Sequence, residues 1–170
     1  MSYPQNTWIW KGNKVKSTWI KTSDIGKYSP ITQVYGIVFN DKGEILICRK
    51  GDGDWQIPGG HPEKGETINQ TLEREMLEEA DVVVTDIQIL GVQKGEFPDD
   101  PNSRPHYQVR CIAKLKELLP QTPDPDNGET WERLFIPSSE VTNYVKWNTT
   151  GDAMFKDAIE VYSSGLKPII

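Results

Sequence analysis

Residues 60–82 read GHPEKGETINQTLEREMLEEADV, a glycine-rich turn followed by a predicted helix with Thr67 as its N-cap. At about 100° per helical residue, Glu75 and Glu79 return to within roughly 20° of Ile68 on the helix surface. Apolar positions such as Ile68 face the interior, so the two carboxylates are directed inward and need partners. A divalent cation is the partner that we expect.

Composition excludes several classes of protein. A net charge of −6 and a pI near 5.0 argue against a broad surface for nucleic acids or membranes. No apolar run approaches the roughly 18 residues of a membrane span, and the first residues lack the apolar segment of a secretory signal. Cys48 and Cys111 lie in apolar, strand-like runs and are expected to be buried and reduced. We therefore expect a cytoplasmic protein.

The chain divides into two predicted parts, an N-terminal hairpin or arm at residues 1–30 and a main domain at residues 31–170. Aromatic and β-branched residues flank a turn signal at Lys11, Gly12 and Asn13, which predicts the hairpin. Two interpretations of it stay open. It is either an edge hairpin whose tryptophans cover one end of the core, or an arm that forms a homodimer.

The main domain alternates strands with two helices but lacks the regular spacing of βαβ units. The strands are predicted at residues 31–39, 44–49, 82–93, 106–116 and 131–137, and a final amphipathic helix at about 152–163. The loop at residues 120–128 contains three prolines and is expected to be exposed and mobile. This order favours an α/β sandwich with a mixed sheet over a doubly wound fold.

The opening segment resembles the Nudix box. The matching positions are Gly60, Glu66, Arg74, Glu75, Glu78, Glu79 and Val82, all in register. One fixed position departs, because Asp81 stands where the family usually has glycine. That glycine ends the helix, and aspartate is one of the few other residues that tolerate the left-handed conformation. The resemblance implies a Nudix-like α/β/α sandwich over roughly residues 31–145.

The box also predicts a metal site. Glu75, Glu78 and Glu79 stand at i, i+3 and i+4, so their carboxylates converge within one helical turn. Hard oxygen ligands of this kind suit Mg²⁺ or Mn²⁺. The alternative, a surface helix of salt bridges, predicts basic residues four positions before Glu75 and after Glu79, where the chain has uncharged residues. The resemblance adds the carbonyl of Gly60 as a metal ligand and implies that Glu66 braces the loop.

The resemblance implies the reaction, hydrolysis of a nucleoside diphosphate linked to another moiety. A glutamate would take the proton of the attacking water, and the first choices are Glu75 and Glu78. Two glutamates of a later loop, Glu129 and Glu132, are the alternative bases. Arg74 would orient a carboxylate or contact phosphate.

Substrate identity is less sharply indicated. Pro98 lies 16 residues beyond Val82, an offset that resembles the ADP-ribose pyrophosphatases and favours ADP-ribose or a nucleotide sugar. The alternatives are a house-cleaning nucleoside triphosphate pyrophosphohydrolase and a non-catalytic nucleotide-binding module. In each case the partner is a nucleotide-derived small molecule. The candidate substrate-binding residues are Arg49, Trp55, Phe97 and Arg104, although core packing is the favoured interpretation of each aromatic residue taken singly.

Overall fold

The computed structural model describes residues 2–166, which form a mixed eight-stranded sheet with helices on both faces. The strands are β1 (Gln5–Trp10), β2 (Asn13–Lys21), β3 (Ile31–Phe39), β4 (Glu44–Arg49), β5 (Gly59–Gly60), β6 (Val82–Glu96), β7 (His106–Leu118) and β8 (Glu132–Pro137). Their order is β1-β2-β6-β7-β3-β4-β8, and the short β5 pairs with β3. The helices are α1 (Ile68–Ala80), α2 (Val141–Tyr144) and α3 (Asn148–Ser163), with a 3-10 turn at Ser138–Glu140 before α2.

Each face of the sheet covers its own apolar cluster. Alternate residues of β3 point to opposite faces of the sheet and so belong to different clusters. Val34 and Val38 pack in one cluster with Leu72 of α1. Ile37 lies in the opposite cluster together with Phe155 of α3. This alternation is the period of two expected for a strand that is buried on both sides. The predicted α/β/α sandwich with a mixed sheet is confirmed.

Some element boundaries differ from the prediction. Strands β6 and β7 extend beyond the predicted ends at residues 93 and 116, because the two pair with each other over most of their length. Helix α3 begins at Asn148, before the predicted start at residue 152. The residues of its first turn are polar, so the apolar periodicity used to predict the helix begins only after that turn. The amide of Gly151 nevertheless donates to the carbonyl of Trp147, which closes that turn.

The N-terminal hairpin is part of the sheet. Strands β1 and β2 pair around a turn in which Lys11 has φ 48° and Gly12 has φ 80°, as the turn signal predicts. Strand β2 also pairs with β6, and Trp19 is fully buried in the core. Edge strand β1 leaves large apolar side chains in solvent, with Trp8 42% exposed and Ile9 68% exposed.

The parallel pair β3 and β7 carries polar side chains on the α3 face of the sheet. Tyr35 stands opposite Arg110, and Gln33 stands opposite Gln108. Tyr35 and Arg110 contact the ring of Trp147, just before the start of α3, and Tyr35 pairs with Gly59 of β5. Both cysteines are free and buried, as predicted. No helix within residues 2–166 combines the length and apolarity needed to cross a membrane.

Candidate active site

Helix α1 has a defined start and a defined end. Thr67 and Gln70 form a capping box, in which each side chain accepts a hydrogen bond from the other residue's backbone N–H. Asp81 ends the helix in the left-handed conformation at φ 50° and ψ 47°, so the prediction for this position is confirmed. The Asp81 carboxylate accepts hydrogen bonds from the amide and hydroxyl of Thr122, at 2.8 and 2.6 Å. The helix end thereby holds the loop at residues 120–128.

Arg74 links the loop before α1 to two carboxylates of the box. Its Nε lies 2.7 Å from Oε1 of Glu66, and its Nη2 donates to the carbonyl of His61 at 2.8 Å. Its Nη1 donates to Oε1 of Glu75 at 2.8 Å and to Oε2 of Glu78 at 3.1 Å. The Arg74–Glu78 pair has the i, i+4 spacing. This pair corrects the prediction that the box glutamates have no basic partner at that spacing, which rests on the neighbours of Glu75 and Glu79 alone.

Glu66 ties the loop to the helix. Its Oε2 accepts hydrogen bonds from the hydroxyl of Thr71 at 2.8 Å and from the amide of Glu63 at 2.9 Å. The hydrogen bonds from Arg74, with help from the Glu63 amide, lower the pKa of Glu66 to about 2. Glu66 is therefore ionised at neutral pH and holds Arg74 in place.

The two glycines of strand β5 lie in close contact with the box glutamates. The amide of Gly59 donates to Oε2 of Glu79 at 3.0 Å. A Cβ atom at position 59 would lie 2.6 Å from the Cα of Tyr35, so this strand contact excludes any side chain. A Cβ atom at position 60 would overlap the carboxyl group of Glu75. The close approach of β5 to β3 therefore requires glycine at position 59, whereas a side chain at position 60 would force the Glu75 carboxylate to move.

The positive charge around the box carboxylates is too small to offset the cost of burying them in ionised form. Burial raises the pKa of Glu79 to about 8, and Glu75 and Asp124 add to the increase, while the Gly59 amide opposes it. Burial likewise raises the pKa of Glu75 and of Glu78, with Arg74 partly offsetting the effect. Carboxylates that are buried together favour protonation unless a cation joins them. The electrostatics therefore fit a cation-binding site.

These groups line a cavity of about 420 Å³, here called the acidic cavity. The acidic and basic side chains that line it are those of Glu63, Arg74, Glu75, Glu78, Glu79, Asp124, Asp126 and His61. The loop at residues 120–128 contributes Asp124, which is only 5% exposed. Asp124 accepts hydrogen bonds from the indole of Trp131 at 3.0 Å and from the Asn127 side chain at 2.9 Å. The expectation of an exposed loop is wrong at Asp124, because these donors hold its carboxylate inside.

The structure brings part of the predicted site together. Gly60, Arg74, Glu75, Glu78 and Glu79 all line the acidic cavity.

Other predicted residues lie outside its walls. Arg49 pairs with Glu132 at 2.7 Å and lies over the ring of Trp55 at 4.6 Å. Trp55 packs edge-on against Tyr144 at the border of the core. Glu132 and the ring of Trp55 therefore hold the Arg49 guanidinium outside the acidic cavity.

The remaining predicted residues also lie apart from the acidic cavity. Phe97 packs between Trp10 and His106, with ring centroids 6.4 and 6.3 Å away. Arg104 is exposed on the loop between β6 and β7. Glu129 is exposed and lies 3.9 Å from the ammonium group of Lys50.

Sequence reasoning missed seven polar residues of the cavity wall, which are Gln33, Tyr35, Gln56, Glu63, Asp124, Asp126 and Asn127. The two aspartates belong to a proline-rich segment that has the composition of a surface loop. Only the contacts with Asp81 and Trp131 place that loop over α1. The contact with Asp81 spans 41 residues, and no local signal in the sequence encodes it.

The carboxylate oxygens of the acidic cavity suit a divalent cation, although they are not arranged around a common point at coordination distance. Among residues 2–166, no three Asp, Glu, His or Cys side chains are grouped so that they could hold a metal ion as they stand. Arg74 occupies one oxygen each of Glu75 and Glu78, and the Gly59 amide holds Glu79. A bound cation would compete with Arg74 for these oxygens and would relieve the raised pKa values.

Comparisons with known proteins agree on one family. A NUDIX domain family model matches residues 30–157. An RNA pyrophosphohydrolase of Acinetobacter baylyi is 27% identical over 126 residues, which cover 64% of this chain and 76% of that protein. An ADP-ribose pyrophosphatase of Methanocaldococcus jannaschii is 34% identical over 115 residues, covering 64% of this chain and 65% of that protein. A Bacillus subtilis pyrophosphohydrolase structure shares the fold, with a TM-score of 0.66, 18% identity and coverage of 94% of this chain and 98% of that chain.

Proposed function

This chain belongs to the Nudix family, and we propose that its acidic cavity hydrolyses a diphosphate bond in a nucleoside diphosphate linked to another moiety. The observation that carries the proposal is the convergence of Glu75, Glu78 and Glu79 on one cavity beside the β5 turn. The similar proteins named as pyrophosphohydrolase and pyrophosphatase support the same class of reaction.

Nudix hydrolases generally need a divalent metal, and we propose Mg²⁺ or Mn²⁺ for this chain. The carbonyl of Gly60 and the carboxylates of Glu75, Glu78 and Glu79 would hold it. When bound, such a cation neutralises charge on the diphosphate and lowers the pKa of the attacking water. The three carboxylates offer the hard oxygen donors that these ions prefer.

The chain's own residues would position the reaction and take the proton. Arg74 fixes the orientation of Glu75 and Glu78, since one nitrogen bonds to both. A general base must come within hydrogen-bond reach of the water, so Glu75 and Glu78 remain the first choices. The alternative bases Glu129 and Glu132 are not supported by their positions, because both lie outside the cavity and pair with basic residues.

For the substrate, ADP-ribose or a nucleotide sugar leads. The 34% identity with a protein named ADP-ribose pyrophosphatase favours it. A house-cleaning nucleoside triphosphate pyrophosphohydrolase is the second candidate, and a non-catalytic nucleotide-binding module is the third. The three converging glutamates Glu75, Glu78 and Glu79 are intact, which favours turnover over binding alone. A cytoplasmic location accords with this class of substrate.

A substrate panel with product analysis tests the function. Purified protein with Mg²⁺ is incubated separately with ADP-ribose, nucleotide sugars and nucleoside triphosphates, and the released mononucleotide is quantified. We expect release from at least one compound. Glu79→Gln should abolish most of it without lowering thermal stability. Glu73→Gln, an exposed site on the same helix, is the matched control and should keep wild-type activity. Absence of turnover across the panel would contradict the proposal.

We also propose that the N-terminal hairpin forms a homodimer contact. Its edge strand exposes Trp8, Ile9 and Trp10 at 42%, 68% and 50%. An exposed apolar edge strand is a ready surface for pairing between chains. Sedimentation analysis should give a dimer that Ile9→Lys converts to a monomer. A monomeric wild-type protein at high concentration would contradict this proposal.

A further inference from the structure

Arg110 is a buried cation with unused hydrogen-bond donors. Only 3% of the residue is exposed, and its Nη2 donates to Oε1 of Gln108 at 2.8 Å. Its Nε and Nη1 are buried without a hydrogen-bond partner, the only cationic nitrogens in that situation among residues 2–166. The guanidinium lies over the rings of Tyr35 at 4.5 Å and Trp147 at 5.2 Å. Buried donors of a charged group are costly unless a partner satisfies them.

Arg110 lines a cavity of about 460 Å³, here called the Arg110 cavity. Lys146 and His106 also line it, whereas no carboxylate of the described chain does. The acidic cavity, by contrast, is lined by six carboxyl groups. In a chain with a net charge of −6, the absence of acidic walls beside a buried arginine indicates a site for an anion.

The two cavities adjoin. Tyr35 lines both of them. Gln33 on the acidic side accepts hydrogen bonds from the Tyr35 hydroxyl and from the Gln108 side chain, each at 2.8 Å. Gln108 in turn accepts the bond from Arg110. A continuous chain of hydrogen bonds therefore connects the buried guanidinium with the wall of the acidic cavity.

The N-terminal hairpin supplies one wall of the Arg110 cavity. Asn6 and Trp8 of β1 and Ser17 of β2 line it, and all three precede the segment that the family model matches. Asn6 is fixed to α3, because its Oδ1 accepts hydrogen bonds from the hydroxyl and amide of Thr150 at 2.7 and 3.2 Å. The cavity is therefore built in part by a segment outside the matched domain.

We propose that the Arg110 cavity binds a phosphate group that the substrate carries outside the diphosphate that is cleaved. This inference rests on the proposed function. A phosphate offers several acceptor oxygens and a negative charge, so it would neutralise the guanidinium and, after a shift of the Arg110 side chain that opens Nε or Nη1 to the cavity, accept hydrogen bonds from it. Lys146 is exposed at the same cavity and would add a second positive charge. A nucleobase carbonyl could accept the same hydrogen bonds but would place no negative charge beside the guanidinium.

The guanidinium keeps its charge for this role. Burial lowers the pKa of Arg110 to about 10, so the side chain stays protonated at neutral pH. Burial also lowers the pKa of His106, which leaves its ring neutral and available as a hydrogen-bond donor or acceptor. The positive charge of the cavity therefore comes from Arg110 and Lys146.

Binding of inorganic phosphate tests the site without any turnover. Calorimetric titration is done with the full chain in the absence of divalent metal. We expect wild-type binding that Arg110→Met weakens about 10-fold or more and Arg110→Lys weakens less. Without phosphate, Arg110→Met should melt no lower than wild type, because an unpaired buried charge has been removed. Wild type that binds no phosphate, or equal binding by Arg110→Met, would overturn the proposal.

A rim variant keeps the test valid if Arg110→Met does not fold. Lys146→Met changes an exposed side chain at the cavity and should weaken phosphate binding several-fold. Lys156→Met, an exposed lysine on α3 outside the cavity, is the control and should leave binding unchanged. Equal phosphate affinity in Lys146→Met and the control would count against the site.

Turnover of a matched pair assigns the phosphate to the substrate. ADP-ribose and its 2′-phosphate differ only in one phosphate group. We expect wild type to prefer the 2′-phosphate by about 10-fold or more in kcat/KM, and Arg110→Met to lose that preference. Inorganic phosphate should compete with the phosphorylated substrate. An equal loss for both substrates, or inhibition by phosphate that lowers kcat without raising KM, would overturn the assignment. If phosphate binds through Arg110 and nothing is hydrolysed, the proposed function fails while the phosphate site stands.

Discussion

Gly60 and Glu75 stand so close that a Cβ atom at position 60 would lie 2.5 Å from the carboxyl carbon of Glu75 and 2.7 Å from its Oε2. These distances are shorter than the van der Waals contact of non-bonded carbon and oxygen atoms, so the carboxylate would have to move. The same carboxylate accepts a hydrogen bond from Arg74. Gly60 of β5 therefore leaves the space that this position of the Glu75 carboxylate needs.

Gly60→Ala should displace the Glu75 carboxylate and lower kcat/KM by about 10- to 100-fold, the usual effect of disturbing the groups that orient a metal ligand. The measurement is steady-state turnover at saturating Mg²⁺. Gly26→Ala is the matched control, because a Cβ atom there would meet only ordinary contact distances. Wild-type kinetics in Gly60→Ala would show that the position of Glu75 does not matter for activity.

Glu66→Gln should remove a pH-dependent contribution to stability. The pKa of Glu66 is about 2 in the fold against an ordinary value of 4.5, so folding favours the ionised form. The contribution is complete above the ordinary pKa and is lost as pH falls through the folded pKa. Urea unfolding followed from neutral to acidic pH should therefore show a smaller loss of stability in Glu66→Gln than in wild type. Parallel curves for the two proteins would exclude this role of Glu66.

Glu79 should have the opposite pH dependence. Its pKa is raised from 4.5 to about 8, so the fold binds a proton that the unfolded chain releases. The metal-free protein should lose stability as pH rises from the ordinary pKa toward the folded pKa, and the loss should end above it. Glu79→Gln should flatten this decline, as measured by thermal unfolding in a chelator.

Metal binding should release the same proton, because a ligating carboxylate is ionised. Calorimetric titration of Mg²⁺ in buffers of different ionisation enthalpy would count the protons released. We expect release below the folded pKa of Glu79 and tighter binding as pH rises toward it. Affinity for Mg²⁺ that is independent of pH across this window would contradict the raised pKa.

Asp124→Ala should destabilise the loop over the acidic cavity. The Asp124 carboxylate accepts hydrogen bonds from Trp131, Asn127 and the Asp126 amide. Leaving buried donors unpaired costs about 1–3 kcal/mol, which chemical denaturation would detect. Turnover should fall as well, since the loop forms one wall of the cavity. Asp99→Ala, on an exposed loop elsewhere, controls for the loss of an acidic side chain and should change neither stability nor turnover.

The local features of the box were predictable from the sequence. The Thr67 cap, the inward direction of Glu75 and the left-handed Asp81 depend on residues within one helix and its ends. The spacing of residues on a helix fixes which side chains share a face, so the acidic cluster followed from sequence as well. The hairpin around Lys11 and Gly12 was predictable for the same reason.

The rest depends on pairing between distant segments. Arg110 and Tyr35 meet because β7 runs parallel to β3, and no residue near either one encodes that register. The hairpin becomes a cavity wall only through the pairing of β2 with β6 and the contact of Asn6 with Thr150. Composition gave the segment around Asp124 the properties of an exposed loop, since buried aspartates are uncommon.

The most direct test of the acidic cavity is Mg²⁺-dependent turnover measured side by side for four charge-removing variants of α1. Glu75→Gln, Glu78→Gln and Glu79→Gln replace the converging carboxylates, while Glu73→Gln replaces an exposed one on the same helix. We expect each of the first three to lose most of the activity and Glu73→Gln to match wild type. Equal activity in all four variants would contradict the assignment of the acidic cavity as the catalytic site.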